Sequence, residues 1–161
     1  MKRVDINEHI TDHYDQKYSH SDASTVTKIE YDGHPVHRNE AAVHYAQGGA
    51  RLLEIGSGCG NVILTLRDRY QECVGIELSK IRADESRKLF ANDSGVEIIH
   101  GNFESMELPF AENSFDTIIL IAVIEHLIDP FLVVERIHRL LKPGGQVIID
   151  YLIKEKVPYV F

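Results

Sequence analysis

The chain has 161 residues, of which 43% are hydrophobic and 26% are charged, as in a single folded domain. Its formal net charge of −8 argues against non-specific nucleic-acid binding, which depends on cations that neutralise phosphates. The two cysteines are too few for a disulfide framework, and no apolar run reaches the ~20 residues that span a bilayer. We therefore expect a reduced, cytoplasmic protein with no membrane span and no nucleic-acid partner.

Residues 1–50 form a polar segment with few aliphatic side chains. His9 and His13 are four residues apart, but no acidic or cysteine partner is patterned around them, so we expect no metal site. Tyr14 and Tyr18 have two interpretations, either as part of a lid over a site or as aromatic packing of a leading helix. We expect residues 1–50 to be an N-terminal lid or helical segment.

From residue 51 to 161, stretches typical of strands alternate with stretches typical of helices. Such alternation requires right-handed crossovers and therefore a parallel sheet. We predict an α/β fold, a Rossmann-like, doubly wound and mostly parallel sheet of about five strands. The predicted elements are a strand at 52–55, a helix starting at 62, a strand at 73–77, a helix at 79–92 capped by Ser79, strands at 96–100 and 115–121, a helix at 130–141 that residues 142–145 end, and a strand at 146–150.

A glycine-rich turn follows the first predicted strand and has the sequence Gly56-Ser-Gly-Cys-Gly60. Its glycines allow a sharp turn with bare N–H groups at the carboxyl end of a strand, where open α/β sheets bind ligands. The register G-x-G-x-G differs from the dinucleotide fingerprint G-x-G-x-x-G. Glu54, just before the turn, would oppose a pyrophosphate but suits an ammonium, and Glu77 ends the second strand, where a carboxylate binds ribose hydroxyls. These charges favour a nucleoside joined to an amino acid over a dinucleotide.

Four ordered stretches of the chain resemble the class I S-adenosylmethionine-dependent methyltransferases that modify small molecules. A further segment, residues 124–130, is similar to one that is common in this group, and the resemblance covers roughly residues 35–150. It implies the cofactor S-adenosylmethionine and a small-molecule methyl acceptor. The four stretches are Leu53-Glu-Ile-Gly-Ser-Gly-Cys-Gly60, Val74-Gly-Ile-Glu-Leu-Ser79, residues 101–116 and Leu140-Leu-Lys-Pro-Gly-Gly-Gln-Val-Ile-Ile149.

Two other functions stay open beside methyl transfer. One is a non-catalytic module that binds the cofactor or assembles with a partner. The other is an NAD-dependent oxidoreductase, which the register of the glycine turn disfavours.

The resemblance implies that the glycine turn contacts the methionine half of the cofactor. The backbone of Gly56, Gly58 and Gly60 would lie against this half, Ser57 is included in the same site, and Glu54 would help to receive the ammonium group.

The adenosine half of the cofactor is assigned to other residues by the same resemblance. Glu77 would bind the ribose hydroxyls and Leu78 would pack on the adenine, with Asn102 and Phe103 at the adenine edge and face. The family often has Asp where this chain has Asn102, whose amide oxygen can still accept a hydrogen bond.

Residues that follow the fourth predicted strand are expected near the reacting methyl group. By the resemblance, Ile121 and Ala122 line the methionine end of the cofactor. His126 is a candidate general base, and its alternative role is to orient the loop beside Glu125 and Asp129.

The complete sheet of the family has seven strands, and residues 151–161 leave room for one short strand at most. We therefore expect a core truncated after the fifth strand, whose apolar edge would expose unpaired backbone groups. A second copy of the chain in a homodimer, or the rest of a longer protein, would cover this edge.

Overall fold

In the computed structural model, the described residues are 12–17, 19 and 26–150. His9, Tyr18 and residues 151–161 lie outside them, so the predictions for these residues stay predictions.

The described part of the chain alternates between strands and helices in the predicted order. Short 3₁₀ turns occur at Arg67–Arg69 and at Ile124–His126. The elements are α1 (12–17), α2 (Arg38–Tyr45), β1 (Gly49–Ile55), α3 (Asn61–Leu66), β2 (Tyr70–Glu77), α4 (Lys80–Leu89), β3 (Val96–His100), β4 (Phe115–Ile121), α5 (Pro130–Leu140) and β5 (Leu141–Asp150).

The five strands form one sheet in the order β3-β2-β1-β4-β5, and every pair is parallel. From β1 the chain adds β2 and then β3 on one side. It then crosses back and adds β4 and β5 on the other side of β1. This reversal creates a topological switch point between β1 and β4, and open α/β sheets bind ligands at the carboxyl ends of such strands. The predicted doubly wound, parallel architecture is confirmed.

Both faces of the sheet are covered by helices. Leu52, Cys73 and Ile119 belong to the core under α2, α3 and α4. Neighbouring residues of the same strands, such as Leu53 and Ile118, belong to the core under α5. Since successive strand residues point to opposite faces, continuous apolar strands are what a sheet buried on both sides requires.

Several predicted boundaries differ from the structure. The strands β1 and β2 each begin three residues earlier than predicted, at Gly49 and Tyr70, and α3 begins at Asn61 instead of 62. Ser79 caps α4 as predicted, with its Oγ accepting a hydrogen bond from the Arg82 N–H. However, α4 ends at Leu89 instead of 92, because Phe90 leaves the helical conformation and its ring packs against Gly60. Helix α5 ends one residue earlier than predicted, at Leu140.

Residues 142–145 follow the end of α5, as predicted, but they already belong to β5, which begins at Leu141 instead of 146. Phe115 pairs with Leu141, whereas Thr117 pairs with Gln146, so β5 bulges between the two pairs. The bulge holds Pro143, which has no N–H to give to a ladder, and Gly144 at φ +78°; both residues are typical of bulges.

None of the described helices is long and apolar enough to cross a lipid bilayer.

Candidate functional site

The glycine turn, residues 56–60, is held to the neighbouring strand β2. The N–H groups of Gly56 and Ser57 both donate to the Ile76 carbonyl, at 2.8 and 3.2 Å. Gly56, Gly58 and Gly60 have φ values of +75°, +56° and +96°, a region that L side chains rarely adopt. The glycines are therefore required by the backbone of this turn.

The carboxylate of Glu77 is fixed at the end of β2 by two backbone donors. Its Oε2 accepts from the Gly58 N–H at 2.7 Å, and its Oε1 accepts from the Ser79 N–H at 2.8 Å. The side chain is 6% exposed. Because each carboxylate oxygen has two lone pairs, both oxygens can accept a further hydrogen bond from a ligand.

A cavity of about 450 Å³ opens at the carboxyl ends of β1 to β4. The structure brings together in its wall most of the residues that the sequence predicted for the site, from five separate parts of the chain. Those that line the cavity are Tyr14, Gly56, Glu77, Leu78, Asn102, Phe103, Ile121, Ala122 and His126.

Four other predicted site residues that the structure describes, Glu54, Ser57, Gly58 and Gly60, do not line the cavity. Ser57, Gly58 and Gly60 support the turn without lining the cavity. Gly60 is the N-cap of α3, and a Cβ there would lie 2.7 Å from the Phe90 ring. These residues therefore shape the wall and do not form its surface.

Glu54 is buried beneath the glycine turn and is 4% exposed. Burial raises the pKa of its carboxyl well above the ordinary value, and the nearby charge of Glu77 raises it further, whereas a hydrogen bond from the Ile63 N–H acts in the opposite direction. Its Oε2 has no hydrogen-bond partner within the described residues. A buried carboxyl oxygen without a partner is costly, and a cation placed beside it would lower that cost.

Ala122, directly after β4, has an unusual backbone conformation. Its φ is +53°, a value that costs about 1–2 kcal/mol for a residue with a Cβ. Its N–H donates to the Asp150 carbonyl at 3.0 Å, which ties this turn to the end of β5. Such strain is most often found at ligand sites.

Three cationic residues that the sequence interpretation missed also line the cavity: Lys17, Arg38 and Arg82. Arg38 is on α2, which is anchored by the fully buried Ala42 and Val43, and its Nε lies 3.9 Å from Oδ1 of Asp150. No local motif marks these residues, because their position depends on how α1, α2 and α4 pack around the sheet.

Helix α1 contacts both sides of the cavity. The Tyr14 ring meets the His126 ring edge to face, with centroids 6.2 Å apart. On the opposite side, the Ser79 hydroxyl donates to Oδ1 of Asp15 at 2.7 Å. One short helix therefore joins the segment after β2 to the segment after β4.

Cys59 lies within the glycine turn and lacks the lowered pKa that activates a thiol as a nucleophile. Burial, and then a hydrogen bond from its Sγ to Oε2 of Glu85, raises the pKa of the thiol to about 11. A thiol with this pKa stays protonated at neutral pH. No group of three metal-ligating side chains occurs in the described ranges 12–17 and 26–150.

Comparisons with known proteins find similar sequences and similar folds. A family model described as a methyltransferase domain matches residues 53–149. The ubiquinone biosynthesis O-methyltransferase of Alkalilimnicola ehrlichii is 33% identical over 114 residues, which are 70% of this chain and 46% of that protein. The chain spans about half the length of the curated relatives it matches.

Solved structures share the fold. YcgJ of Bacillus subtilis superposes with a TM-score of 0.63 at 27% identity, over 70% of this chain and 49% of that one. The phosphoethanolamine N-methyltransferase 2 of Haemonchus contortus, solved with phosphomonomethylethanolamine and S-adenosylhomocysteine, has a TM-score of 0.60 at 29% identity. That match covers 69% of this chain and 27% of the other.

Proposed function

Because the chain belongs to the methyltransferase domain family, we propose that it binds S-adenosylmethionine and transfers the methyl group to a small-molecule acceptor. The observation that carries the proposal is the Glu77 carboxylate, which two backbone N–H groups hold at the end of β2, in the cavity wall. This arrangement presents oriented acceptors to a pair of ribose hydroxyls.

The chemistry of the cavity fits the two halves of this cofactor. At the adenosine half, Glu77 accepts from the ribose, while Leu78 and Phe103 offer apolar surface to the adenine. At the methionine half, Gly56 allows the backbone to approach the ligand closely. The buried Oε2 of Glu54, which has no hydrogen-bond partner among the described residues, suits the ammonium group.

Arg38 completes the proposed binding of the methionine half. Arg38 lines the cavity, and its guanidinium lies near Asp150. An arginine has five N–H donors, and it pairs with carboxylates through two parallel hydrogen bonds. We assign the carboxylate of the cofactor to Arg38.

When bound, this cofactor supplies a methyl group on a sulfonium sulfur, which is already activated for transfer. The chain has to align the acceptor with that methyl group and exclude water. Helix α1 contacts both cavity walls through Tyr14 and Asp15, and we propose that it is the lid. His126 is the proposed general base that takes the proton of an acceptor hydroxyl.

The proposal also covers the class of acceptor, the cellular location and the oligomeric state of the chain. A small-molecule acceptor, rather than nucleic acid, is consistent with the net charge of −8. The free thiols of Cys59 and Cys73 support a reduced, cytoplasmic location. We further propose a homodimer that covers β5, since among the described strands β5 pairs only with β4 and exposes Val147 and Ile149.

The binding step is tested by calorimetric titration with S-adenosylmethionine, S-adenosylhomocysteine and NAD. We expect both adenosyl ligands to bind and NAD not to bind. Glu77→Ala should weaken S-adenosylhomocysteine binding at least about tenfold, since a charged hydrogen-bond acceptor is lost. Glu97→Ala, a matched change on the exposed surface of β3, should leave the affinity unchanged. Binding of NAD alone, or undiminished binding by Glu77→Ala, would overturn the assignment.

The catalytic step separates an enzyme from a non-catalytic module that only binds the cofactor. Methyl transfer is measured with a panel of hydroxylated and amine acceptors, including reduced hydroxyquinones, which the name of the Alkalilimnicola relative suggests. His126→Ala should lower the rate about 10²-fold or more while S-adenosylhomocysteine still binds. His138→Ala, on the exposed face of α5, is the control. Binding without transfer to any acceptor would favour the module.

A further inference from the structure

Residues 102–106 form a compact turn between β3 and β4 that supplies one wall of the cavity. The Asn102 carbonyl accepts hydrogen bonds from the N–H groups of Ser105 and Met106, at 3.1 and 2.8 Å. Its side-chain Oδ1 accepts from the Glu104 N–H at 2.9 Å, as in Asx turns. Asn102 and Phe103 of this turn line the proposed adenosine half of the cavity.

The side chain of Glu104 fastens this turn to the segment that enters α5. Its Oε1 accepts from the N–H groups of Ile128 and Asp129, at 2.9 and 2.8 Å. Asp129 is the N-cap of α5, so the carboxylate of Glu104 satisfies backbone donors just before that helix begins. The two walls of the cavity that follow β3 and β4 are thereby connected.

Arg136 makes the reciprocal connection from α5 back to the turn. Its Nη1 donates to the Glu104 carbonyl at 2.6 Å, and its Nη2 donates to the Met106 carbonyl. Its guanidinium carbon lies 5.3 Å from the centroid of the Phe103 ring, within cation–π range. Arg136 itself is not part of the cavity wall.

Arg136 can contact two carbonyls and the Phe103 ring together because its guanidinium is planar and has several donors. Burial, and then the neighbouring charge of Arg139, lowers the pKa of Arg136, so this position is unfavourable for a cation. In return, a planar fork with several donors can reach two carbonyls and an aromatic face at once, which the ammonium of lysine cannot do.

We propose that Arg136 is a positioning residue, which together with Glu104 locks the 102–106 turn and so sets the affinity for the adenosine half of the cofactor. The inference rests on the proposed function, because it assigns adenosine to this wall. It adds a residue 33 positions away from Phe103 in the sequence that acts only through the turn.

The test compares two matched substitutions on the same helix, Arg136→Met and Arg139→Met, with Arg136→Lys as a milder variant that keeps the charge. Binding of S-adenosylhomocysteine and of adenosine is measured by calorimetry, per mole of folded protein. Arg136→Met should weaken both ligands by the same factor, about tenfold. Arg136→Lys should recover only part of this loss, and Arg139→Met should stay within about twofold of the parent.

A second readout needs no ligand. Amide hydrogen exchange at Ser105 and Met106 should become faster in Arg136→Met, and to a lesser degree in Arg136→Lys, but not in Arg139→Met. Three results would each contradict the proposed role of Arg136: unchanged amide exchange in Arg136→Met, equal ligand affinities of Arg136→Met and Arg139→Met, or full recovery of the affinity in Arg136→Lys. If the parent protein bound no adenosyl ligand, the proposed function would fail, whereas the exchange measurement would still decide whether the turn is locked.

Discussion

At the scale of single residues, the glycine turn is constrained from two directions. Its backbone needs positive φ values, and the segment after β4 leaves no room beside Gly56. A Cβ built on Gly56 would lie 2.4 Å from a methyl carbon of Val123, whereas a Cβ on Gly144 meets nothing within 4 Å. The two glycines have nearly the same φ, +75° and +78°. An alanine at either position therefore has the same conformational cost, and only the alanine at position 56 also has a steric clash.

We predict that Gly56→Ala destabilises the protein more than Gly144→Ala does. Both variants place a Cβ at positive φ, which costs about 1–2 kcal/mol. Gly56→Ala adds an overpacking cost of about 1–3 kcal/mol and should also weaken S-adenosylhomocysteine binding. Urea unfolding measures the difference, and equal losses of stability would contradict the steric account.

Glu54 should make the stability of the unliganded protein depend on pH. Its pKa is raised in the folded state from an ordinary value of 4.5, so the folded protein binds this proton more tightly than the unfolded chain does. Stability therefore falls as the pH rises from 4.5 towards the folded pKa. Glu54→Gln should remove this fall and be relatively more stable at neutral pH.

The measurement for Glu54 is urea unfolding at about pH 5 and about pH 8, with Glu97→Gln as the exposed control. S-adenosylhomocysteine should stabilise the parent protein more than Glu54→Gln, because the ammonium favours an ionised carboxylate. Parallel pH dependences of the parent and Glu54→Gln would contradict the assigned pKa direction.

At the scale of elements, the role of α1 rests on contacts at its two sides. The hydrogen bond between Ser79 and Asp15 fixes the helix on the β2 side of the cavity. We predict that Asp15→Ala weakens S-adenosylhomocysteine binding about fivefold, as expected for one lost hydrogen bond. Stopped-flow measurements should show that the ligand dissociates faster, since a loosened lid opens more often.

Asp12→Ala is the control for Asp15→Ala, because it changes an exposed carboxylate of the same helix. The thermal midpoint of both variants should remain close to that of the parent. If S-adenosylhomocysteine dissociated from Asp15→Ala and from Asp12→Ala at the same rate, the proposal that α1 is a lid would be contradicted.

The sequence is informative about elements where the signal is local. The bounds of β3 and β4 and the capping role of Ser79 were predictable from apolar runs and a polar N-cap. The bulge of β5 was not predictable, since Pro143 and Gly144 are equally typical of a turn. Only the pairing with β4 distinguishes a bulge from a turn.

The positions of the glycine turn and of Glu77 were also predictable from the sequence, because both lie at the ends of predicted strands. The positions of Arg38 and Arg136 were not predictable, because they depend on packing between segments that are distant in the sequence.

At the scale of the whole molecule, the edge of the sheet at β5, which among the described strands pairs only with β4, bears on the oligomeric state. Exposed strand edges with apolar side chains tend to pair with another chain. We predict that light scattering gives a mass approaching twice the 18.3 kDa of one chain, and that Val147→Lys shifts it towards a single chain. Ser94→Lys, in the loop before β3, should leave the mass unchanged. A parent protein of single-chain mass at all concentrations would contradict the homodimer.

The contact between Val123 and Gly56 also carries a consequence for how sequences of this fold can vary. The Cβ of Val123 lies 3.8 Å from the place where a Cβ on Gly56 would be, and only its methyl carbon clashes, at 2.4 Å. An alanine at 123 would therefore leave room for an alanine at 56, whose remaining cost would be its positive φ. The two positions should show epistasis: a substitution in the turn after β1 becomes tolerable only once the loop after β4 has lost bulk.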